Sequence, residues 1–498
     1  MKRVTDDRKT ASLIGSHERM PKVIACVLLA WVVLPTGCAT VKPQQDYLRA
    51  RELIERSTGF ERAYSPEEVG LSEDELTTTL ADGLTLDEAL RLVLLNNRQL
   101  QVAFLDIGIA RADLVQSGLF SNPSLGVGVL FPAGGGRSNI QANLAQNIVQ
   151  LWQMPVKKRS AGHALEQKIV NVARLAGELV AETKRAYYHG AAAQDLVEIA
   201  EQNLALVTKS SDAISAQREA GAASLLDDNL QRGEVLRAEL GLRNAQLATL
   251  NAKRSLARLL SLDQRVEELI LTDALPEFLS PSLDSDSLIT RARKHRLDLQ
   301  ALSEAVLTGE AEVELEYLRV FPEISVGVGG ERLESRNAGK DPQEIDSMWG
   351  PHLSVTLPIF DQNQARIARA QYAHVQAIKS YEDLHLSIAQ DIRIAVDRAS
   401  VLWTNVAFYR DGLLPQAQKN LDFTNAAYKA GTTNVLTLLE SQRALLNTRG
   451  AYVLAWSDAS TSLSDLERAL GLPLETATDA AAGADPIETS QPLETQDD

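Results

Sequence analysis

Apolar and small side chains recur at alternating spacings of four and three residues along two long stretches, residues 165–214 and 378–413. A repeat sustained over so many turns is typical of helices that pack along their length against other helices. No proline lies between residues 156 and 275. The first stretch therefore predicts one helix from about 159 to 220, roughly 90 Å long at 1.5 Å per residue. Pro415 follows the second stretch, and a kink is expected there because proline cannot donate a helix hydrogen bond.

The chain is an internal duplication, because three segments recur in the same order. Two of the matches share an offset of 210 residues (431 − 221), whereas the third has an offset of 199 (322 − 123). An insertion of 11 residues (210 − 199) therefore lies between the third match and the other two. Repeats of this kind indicate that each half builds the same set of elements. The matching segments are 123–129 with 322–328, 217–226 with 427–436, and 256–262 with 466–472.

Each half begins with a predicted helix and ends with a predicted helical hairpin. Thr85, with Glu88 three residues later, has the pattern of a capping box, and its helix is expected to run to about Leu119. The long helix of each half ends at a glycine, Gly221 or Gly431. A glycine just past a helix end adopts the left-handed conformation that closes the last carbonyls. The return helices are predicted at 225–260 and 435–470.

Between the first helix and the long helix, each half carries two segments in which apolar residues alternate with small or polar ones. Each segment is about nine to twelve residues long, the length of a tilted strand that crosses a bilayer. The segments are therefore predicted to form membrane hairpins; the alternative is an amphipathic hairpin on a soluble domain. The apolar positions are Leu125, Val127, Val129, Phe131, Ile140, Ala142, Leu144, Ile148, Ile324, Val326, Val328, Leu353, Val355, Leu357 and Ile359.

The N-terminus has the pattern of an export signal. Residues 23–34 form an apolar core after Lys22, and this core is too short to span a bilayer as a helix. Met20 is a second possible start, because the residues before it add nothing that a signal peptide needs. The signal peptide is predicted at residues 1–37.

The residues that follow this core resemble the lipobox of bacterial lipoproteins. Thr36 and Gly37 are the small residues that the pattern requires before its cysteine, here Cys38. The resemblance implies that Cys38 is lipidated and becomes the mature N-terminus; the alternative is a signal anchor or an ordinary cleaved signal. Ala39 stands where lipoproteins retained in the inner membrane typically carry aspartate, so the resemblance also implies the outer membrane. Several acyl chains together would anchor the protein stably, at about 0.8 kcal/mol per buried methylene.

Three further motifs occur in order along the chain, and part of this set is duplicated. The motifs lie at 84–89, 355–361 (Val-Thr-Leu-Pro-Ile-Phe-Asp) and 428–431. Together they resemble the TolC-like outer membrane factor family, the outer membrane efflux proteins, over about residues 84–472. The first half departs from the family pattern at 151–155, and Arg98 stands where the family often has proline.

The resemblance implies a fold that is mainly α with membrane β-hairpins. Duplicated long helical hairpins would form the α-barrel of a homotrimer, and each protomer would give four strands to a shared 12-stranded β-barrel. The N-terminal segment would lie near the middle of the α-barrel or be disordered, and the acidic tail would be disordered. The predicted segments are 38–83 (lipidated N-terminal segment), 84–275 (first repeat), 284–472 (second repeat) and 473–498 (tail).

The function implied by the resemblance is a passive conduit from the periplasm to the exterior, in a tripartite efflux or type I secretion system. The partners implied are a periplasmic adaptor (membrane fusion protein), an inner-membrane pump and outer membrane lipid. A second hypothesis is a coiled-coil structural lipoprotein that spans the envelope without a pore. The alternating strands favour the conduit, because a stalk made only of coiled coil needs no membrane hairpins.

Sequence features of other functional classes are absent. The net charge is −16, with 66 acidic and 50 basic residues, which argues against nucleic acid as a partner. The sequence contains no Gly-x-Ser-x-Gly, His-Glu-x-x-His, phosphate-binding or dinucleotide-binding motif. The seven histidines are scattered, and His385 falls in the apolar seam, where a packing role is favoured over metal binding. No enzymatic activity, cofactor or metal is therefore predicted.

The two glycine turns are predicted to form the periplasmic tip and gate. After Gly221 the candidate residues are Asp227 and Asp228, and after Gly431 they are Thr437 and Glu440. Three-fold symmetry would turn each carboxylate into a ring of like charges that attracts cations. The alternative is that these carboxylates only stabilise the start of the return helices, which is worth about 0.3–1 kcal/mol each.

Overall fold

The computed structural model describes residues 39–68, 71–131, 133, 138–262, 265–266, 269–273, 283–334 and 345–474. The predicted lipidation site Cys38 and the predicted tail after Leu474 lie outside the described residues. All the helices and strands below belong to the unit Pro43–Asp498.

The same elements occur twice in the same order, after two N-terminal helices. The N-terminal helices are α1 (Gln44–Thr58) and α2 (Glu73–Ala81). The first set is α3 (Leu86–Asn96), α4 (Arg98–Ser117), β1 (Ser124–Leu130), β2 (Asn139–Asn147), α5 (Gln150–Glu219) and α6 (Leu225–Leu259). The second set is α7 (Ser285–His295), α8 (Leu297–Leu318), β3 (Glu323–Glu334), β4 (Ile345–Thr356), α9 (Gln364–Phe408), a π-turn (Tyr409–Leu413), α10 (Leu414–Lys429) and α11 (Val435–Leu470).

The prediction of one continuous helix up to Leu119 is wrong, because the chain breaks at Asn97 into α3 and α4. Thr85 does form the predicted capping box with Glu88. At the break, the Asn97 side chain accepts a hydrogen bond from the Leu100 N–H (3.0 Å) and donates to the Leu259 carbonyl (2.8 Å). A side chain that caps a new helix and also binds the end of α6 is satisfied only if the backbone leaves the helical conformation here.

The second half has the same break at Arg296, which is 199 residues after Asn97. The backbone angles are nearly identical, with φ −62°, ψ 119° at Arg296 and φ −62°, ψ 120° at Asn97. Arg296 donates to the Ala469 carbonyl at the end of α11 (3.4 Å), as Asn97 donates at the end of α6. The two halves therefore tie the end of their return helix to the same break with different side chains.

The first long helix begins earlier than predicted. It starts at Gln150 rather than near residue 159 and includes Pro155. Pro155 is only the sixth residue of α5, so its missing N–H removes a single bond near the helix end. With 70 residues, α5 is about 105 Å long at 1.5 Å per residue.

The interruption predicted at Pro415 is confirmed, and it takes the form of the π-turn Tyr409–Leu413. The Leu414 N–H donates to the carbonyl of Tyr409, five residues back, and Pro415 follows in the first turn of α10. Before the π-turn, equivalent residues of the two halves are 209 positions apart, as Ile169 and Ile378 are. After it, the two tip glycines, Gly221 and Gly431, are 210 positions apart. The π-turn therefore marks a one-residue insertion in the second half, which is the usual origin of such a bulge.

The four strands form one antiparallel sheet in the order β1-β2-β3-β4. β3 and β4 have 12 residues each, against 7 and 9 for β1 and β2. The fourth strand was predicted to reach Ile359, but it ends at Thr356, just before Pro358. A proline restricts the preceding residue and donates no ladder bond, so pairing ends there.

The main core surrounds α5 between Leu165 and Ala191. It is formed by α1, α3, α4 and the end of α6, with Phe104, Ile169, Tyr187 and Leu256 fully buried. A smaller core joins α7, α9 and α11. The described N-terminal segment contains α1 and α2, and Asp46 of α1 forms a partly buried ion pair with Arg111 of α4. None of the described helices combines the length and apolarity needed to cross a membrane.

Candidate functional site

One face of the sheet is mainly apolar and the other mainly polar; Gln146 and Arg332 lie on the first, and Leu130 and Met348 lie on the second. Residues paired across an antiparallel ladder lie on the same face, so the register assigns each side chain to a face. The apolar face is exposed to a degree unusual for isolated proteins, with Leu125 71%, Val127 67% and Leu353 66% exposed. The apolar face carries Leu125, Val127, Val129, Ile140, Ala142, Leu144, Ile324, Val326, Val328, Trp349, Leu353 and Val355. The polar face carries Ser124, Gln141, Asn143, Asn147, Ser325, Glu331, His352, Ser354 and Thr356.

Glycines on the polar face make room for these polar side chains. A Cβ on Gly126 would lie 2.1 Å from the Asn143 side-chain oxygen. A Cβ on Gly327 would lie 2.4 Å from the His352 ring and from the Leu144 carbonyl. Glycine at these two positions therefore lets the large polar side chains lie flat across the sheet.

A carboxylate on the polar face is held by amides. Glu331 accepts hydrogen bonds from the side-chain amides of Gln141 (2.9 Å) and Asn139 (2.5 Å) on the neighbouring strand. Amide donors satisfy the carboxylate without neutralising it, so this face keeps a negative charge.

Both hairpin tips turn at a glycine with positive φ, +73° at Gly221 and +71° at Gly431. The Ala222 N–H donates to the Gln217 carbonyl (2.7 Å), and the Thr432 N–H donates to the Ala427 carbonyl (3.0 Å). These bonds close the helix ends in the way predicted for a glycine terminator. A Cβ on either glycine would meet nothing within 4 Å, so backbone conformation alone requires glycine.

The residues three positions after the N-caps of the return helices form hydrogen bonds with the capping residues. Asp227 accepts hydrogen bonds from the Ser224 N–H (3.1 Å) and hydroxyl (2.7 Å), and these bonds hold the pKa of Asp227 below its usual range. In the second tip, Asn434 accepts from the Thr437 N–H (2.9 Å) and hydroxyl (2.8 Å). Asp227 and Thr437 occupy equivalent positions, and each stabilises the start of its helix.

Asp228 lies inside the first hairpin. Its side chain is 2% exposed and forms ion pairs with Arg218 on α5 (3.5 Å) and with Arg232 on α6 (3.3 Å). Its Oδ1 atom has no hydrogen-bond partner among the described residues. The spacing of Asp228 and Arg232, four residues apart on a helix, is a signal in the sequence that indicates this pair.

Glu440 is exposed, and none of the described ion pairs or hydrogen bonds includes its carboxylate. One turn further along α11, Arg443 pairs with Glu234 of α6 (3.1 Å) and so joins the two hairpins. The structure thus separates the predicted tip residues: Asp227 and Thr437 act as caps, Asp228 is a buried ion pair, and Glu440 projects freely from the protomer. No cluster of potential metal ligands occurs in the described part of the chain.

Comparisons with known proteins agree with this architecture. A family model described as outer membrane efflux protein matches residues 288–472. The cobalt-zinc-cadmium resistance protein CzcC of Cupriavidus metallidurans is 24% identical over 401 residues, 78% of this chain and 91% of that protein. The chain is similar to outer membrane efflux proteins. Outer membrane protein OprJ of Pseudomonas aeruginosa is 26% identical to it over 410 residues, 76% of this chain and 81% of that protein.

The structural likeness extends over both halves of the chain. The crystal structure of the Campylobacter jejuni CmeC outer membrane channel has a TM-score of 0.66 and 17% identity, covering 84% of this chain and 93% of that chain. The predicted family and the predicted mainly α fold with strand hairpins are confirmed. The relatives and structural neighbours are outer membrane efflux proteins and channels, and the protein is by this similarity an efflux component of the outer membrane.

Proposed function

We propose that the protein assembles as a homotrimer into a conduit that leads from the periplasm through the outer membrane, in a tripartite efflux system. The observation that carries the proposal is the sheet with one bare apolar and one polar face, continued by the 70-residue helix α5. An apolar face suits lipid and a polar face suits a water-filled lumen. Helices of about 105 Å suit a passage that continues far beyond the membrane.

Closure of the sheet explains its two open edges. Within the described strands, β1 and β4 each pair on one side only. Open edges are not tolerated in lipid, where every backbone polar group needs a partner. Three copies joined edge to edge would give a closed barrel of twelve strands, the number implied by the family resemblance.

The proposed partners are a periplasmic adaptor, which would contact the hairpin tips, and an inner-membrane pump. Type I secretion is the second candidate for the system that uses the conduit. A non-pore coiled-coil lipoprotein is the alternative function, and it leaves the two-faced sheet unexplained.

Planar-bilayer recording tests the conduit. Purified protein should produce discrete conductance steps, and absence of conductance from correctly assembled protein would favour the non-pore alternative. Membrane placement is tested separately with single cysteines. Cysteines at Val127 and Val355 should react with lipid-phase probes, whereas one at Ala193 of α5 should not. Reaction of all three with a water-soluble maleimide in intact membranes would contradict the placement.

We also propose that Cys38 carries the lipid anchor. Cys38 precedes Gln44, the first residue of α1, by six residues, which span at most about 20 Å when extended. Asp46 pairs with Arg111, which lies six residues, or about 9 Å, before the end of α4 next to β1. The tether is therefore long enough to reach the membrane boundary. Labelled palmitate should be incorporated by the wild type and not by Cys38→Ser; equal labelling would overturn the proposal.

Finally, we propose that Glu440 lines the entrance at the tip. Its carboxylate is the predicted tip acid that is both exposed and outside the caps, so in a trimer it can form a ring of three charges. Glu440→Ala should raise the resting conductance or reduce cation selectivity. The control is Asp212→Ala, which removes an exposed charge from α5 instead. Recordings of Glu440→Ala that match the wild type in both properties would remove Glu440 from the gate.

A further inference from the structure

The junction between β2 and α5 differs in sequence from the equivalent junction of the second half. After the segment 151–155, α5 continues with three consecutive basic residues, Lys157, Lys158 and Arg159. At the offset of 209 residues, the second half has Arg366, Ile367 and Ala368 at these positions. The chain as a whole carries a net charge of −16. A run of adjacent cations at the sheet end of one helix therefore needs a local explanation.

Two of these three cations have no counter-ion. Arg159 pairs with Glu314 of α8. Among the described residues, no hydrogen bond or ion pair includes the ammonium group of Lys157 or Lys158. Lys157 is partly buried, and its burial together with the like charge of Arg319 lowers the pKa of Lys157 below its usual value. A cation that is partly removed from water beside a like charge is stabilised when an anion joins it.

The two lysines lie where the ends of α4 and α8 pack on α5. A Cβ on Gly118, just after the end of α4, would lie 3.1 Å from Lys158 Cδ and 3.5 Å from its Cε. Glycine at this position therefore lets the alkyl chain of Lys158 cross the end of α4. One turn before Lys157, the Gln153 side chain donates to the Leu318 carbonyl at the end of α8 (3.5 Å). Contacts on both sides thus hold this turn of α5 next to the sheet.

Exposed aromatic side chains lie between the sheet and the lysines. Phe120 follows α4 and is 53% exposed, Phe321 follows α8 and is 57% exposed, and Trp152 in the first turn of α5 is 37% exposed. Aromatic rings are enriched where hydrocarbon meets the lipid headgroups. Lys157 and Lys158 follow Trp152 by about 8–9 Å along the helix, which is the depth of the headgroup layer. Apolar strands, aromatic rings and lysines therefore succeed one another in the order of the layers of a bilayer.

We infer that Lys157 and Lys158 bind the headgroup phosphate of an acidic phospholipid in the leaflet that faces the periplasm, a site that rests on the proposed position of the sheet in the outer membrane. Long lysine chains lie along apolar surface while the ammonium group reaches the polar layer. An acidic headgroup is favoured because a zwitterionic one brings its own cation to the phosphate. The alternative is that the lysines only complement the C-terminal carbonyls of α4 and α8, a role that does not depend on lipid.

Calorimetric titration of the detergent-solubilised full chain tests the site. Dioctanoyl phosphatidylglycerol should bind, and dioctanoyl phosphatidylcholine should bind much more weakly. The double variant Lys157→Gln with Lys158→Gln should bind phosphatidylglycerol about 30-fold more weakly, because each basic residue near an anionic lipid contributes about five-fold. Lys157→Arg with Lys158→Arg keeps both charges and should keep the affinity. Equal affinity of the wild type and the glutamine variant would overturn the inference.

The matched control is Lys168→Gln with Lys209→Gln, which makes the same charge change at two exposed positions of α5 farther from the sheet. This control should bind phosphatidylglycerol as the wild type does, and an equal loss would reduce the effect to net charge and overturn the site. Glycerol phosphate that binds as tightly as the lipid would overturn the lipid as the source of the phosphate. The assay does not use conductance. Lipid binding without current would contradict the conduit and leave this site intact, whereas current without preference for phosphatidylglycerol would do the reverse.

Discussion

Asp228→Asn should loosen the first hairpin tip without unfolding the protein. Asp228 holds Arg218 and Arg232 at 3.5 and 3.3 Å, which gives a gross attraction of about 5 kcal/mol per pair at an effective dielectric constant of about 20. Much of this is offset by desolvation of the buried carboxylate. The two arginines are 35% and 62% exposed and can return to water. We therefore expect a net loss of about 1–3 kcal/mol, confined to the tip.

Amide hydrogen exchange measures this loss directly. A change of about 1–3 kcal/mol corresponds to roughly 5- to 150-fold faster exchange in peptides that cover Arg218 to Arg232. Asp227→Asn is the matched control, because asparagine can still cap the helix and Asp227 is exposed. Peptides from the second tip, where Leu438 stands in place of Asp228, should be unaffected. Unchanged exchange in Asp228→Asn, or an equal change in Asp227→Asn, would refute the argument.

Three further predictions concern stability. Arg296→Ala should lower the free energy of unfolding by about 3 kcal/mol, because Arg296 binds Asp298, Asp391 and the Ala469 carbonyl. Thermal unfolding measures this loss; the control Arg293→Ala, at an exposed arginine, should change little, and equal effects of the two variants would contradict the prediction. Gly431→Val should lower the free energy of unfolding of the tip by about 1–2 kcal/mol and make the tip sensitive to protease, because the φ of Gly431 is +71°. Gly233→Val, in open space on α6, should not have this effect, and protease resistance of Gly431→Val equal to that of the wild type would argue against backbone strain. Burial raises the pKa of Tyr187 to about 12, so the stability it contributes should be full below pH 10 and fall as the pH rises through 12, and absorbance titration should show this tyrosine ionising late; ionisation of every tyrosine near pH 10 in folded protein would contradict it.

The sequence predicts the regular elements well and the interruptions poorly. The return helix at 435–470 and both glycine tips are where the periodicity and the terminator residues indicate. The break at Asn97 could not be predicted from local pattern, because Asn97 is fixed by the carbonyl of Leu259, far along the chain. Pro155 misled the prediction of the start of α5, since a proline near a helix N-terminus costs little.

The tip illustrates the same limit for functional residues. Spacing singles out four polar positions after the glycines and leaves two roles open for them, charge rings or stabilisation of the helix starts. The structure gives them three, because solvent exposure and cross-helix partners are properties of packing. Only the i,i+4 spacing of Asp228 and Arg232 carried a readable signal, and Arg218 joins them from the other helix of the hairpin.

The π-turn at Tyr409–Leu413 has a mechanical consequence. Before the π-turn, α9 buries Ile388, Ile392 and Val406. After the turn, toward the tip, α10 buries none of its residues. At the corresponding depth in the first half, α5 still buries Val207 and Ile214. The first hairpin is thus buried along α5 nearly to its end, whereas between the π-turn and the tip the second hairpin is held through α11, where Arg443 pairs with Glu234 of α6. We therefore expect a load on the second tip to bend α10 at this turn more easily than a load on the first tip bends α5, because α10 buries no side chain.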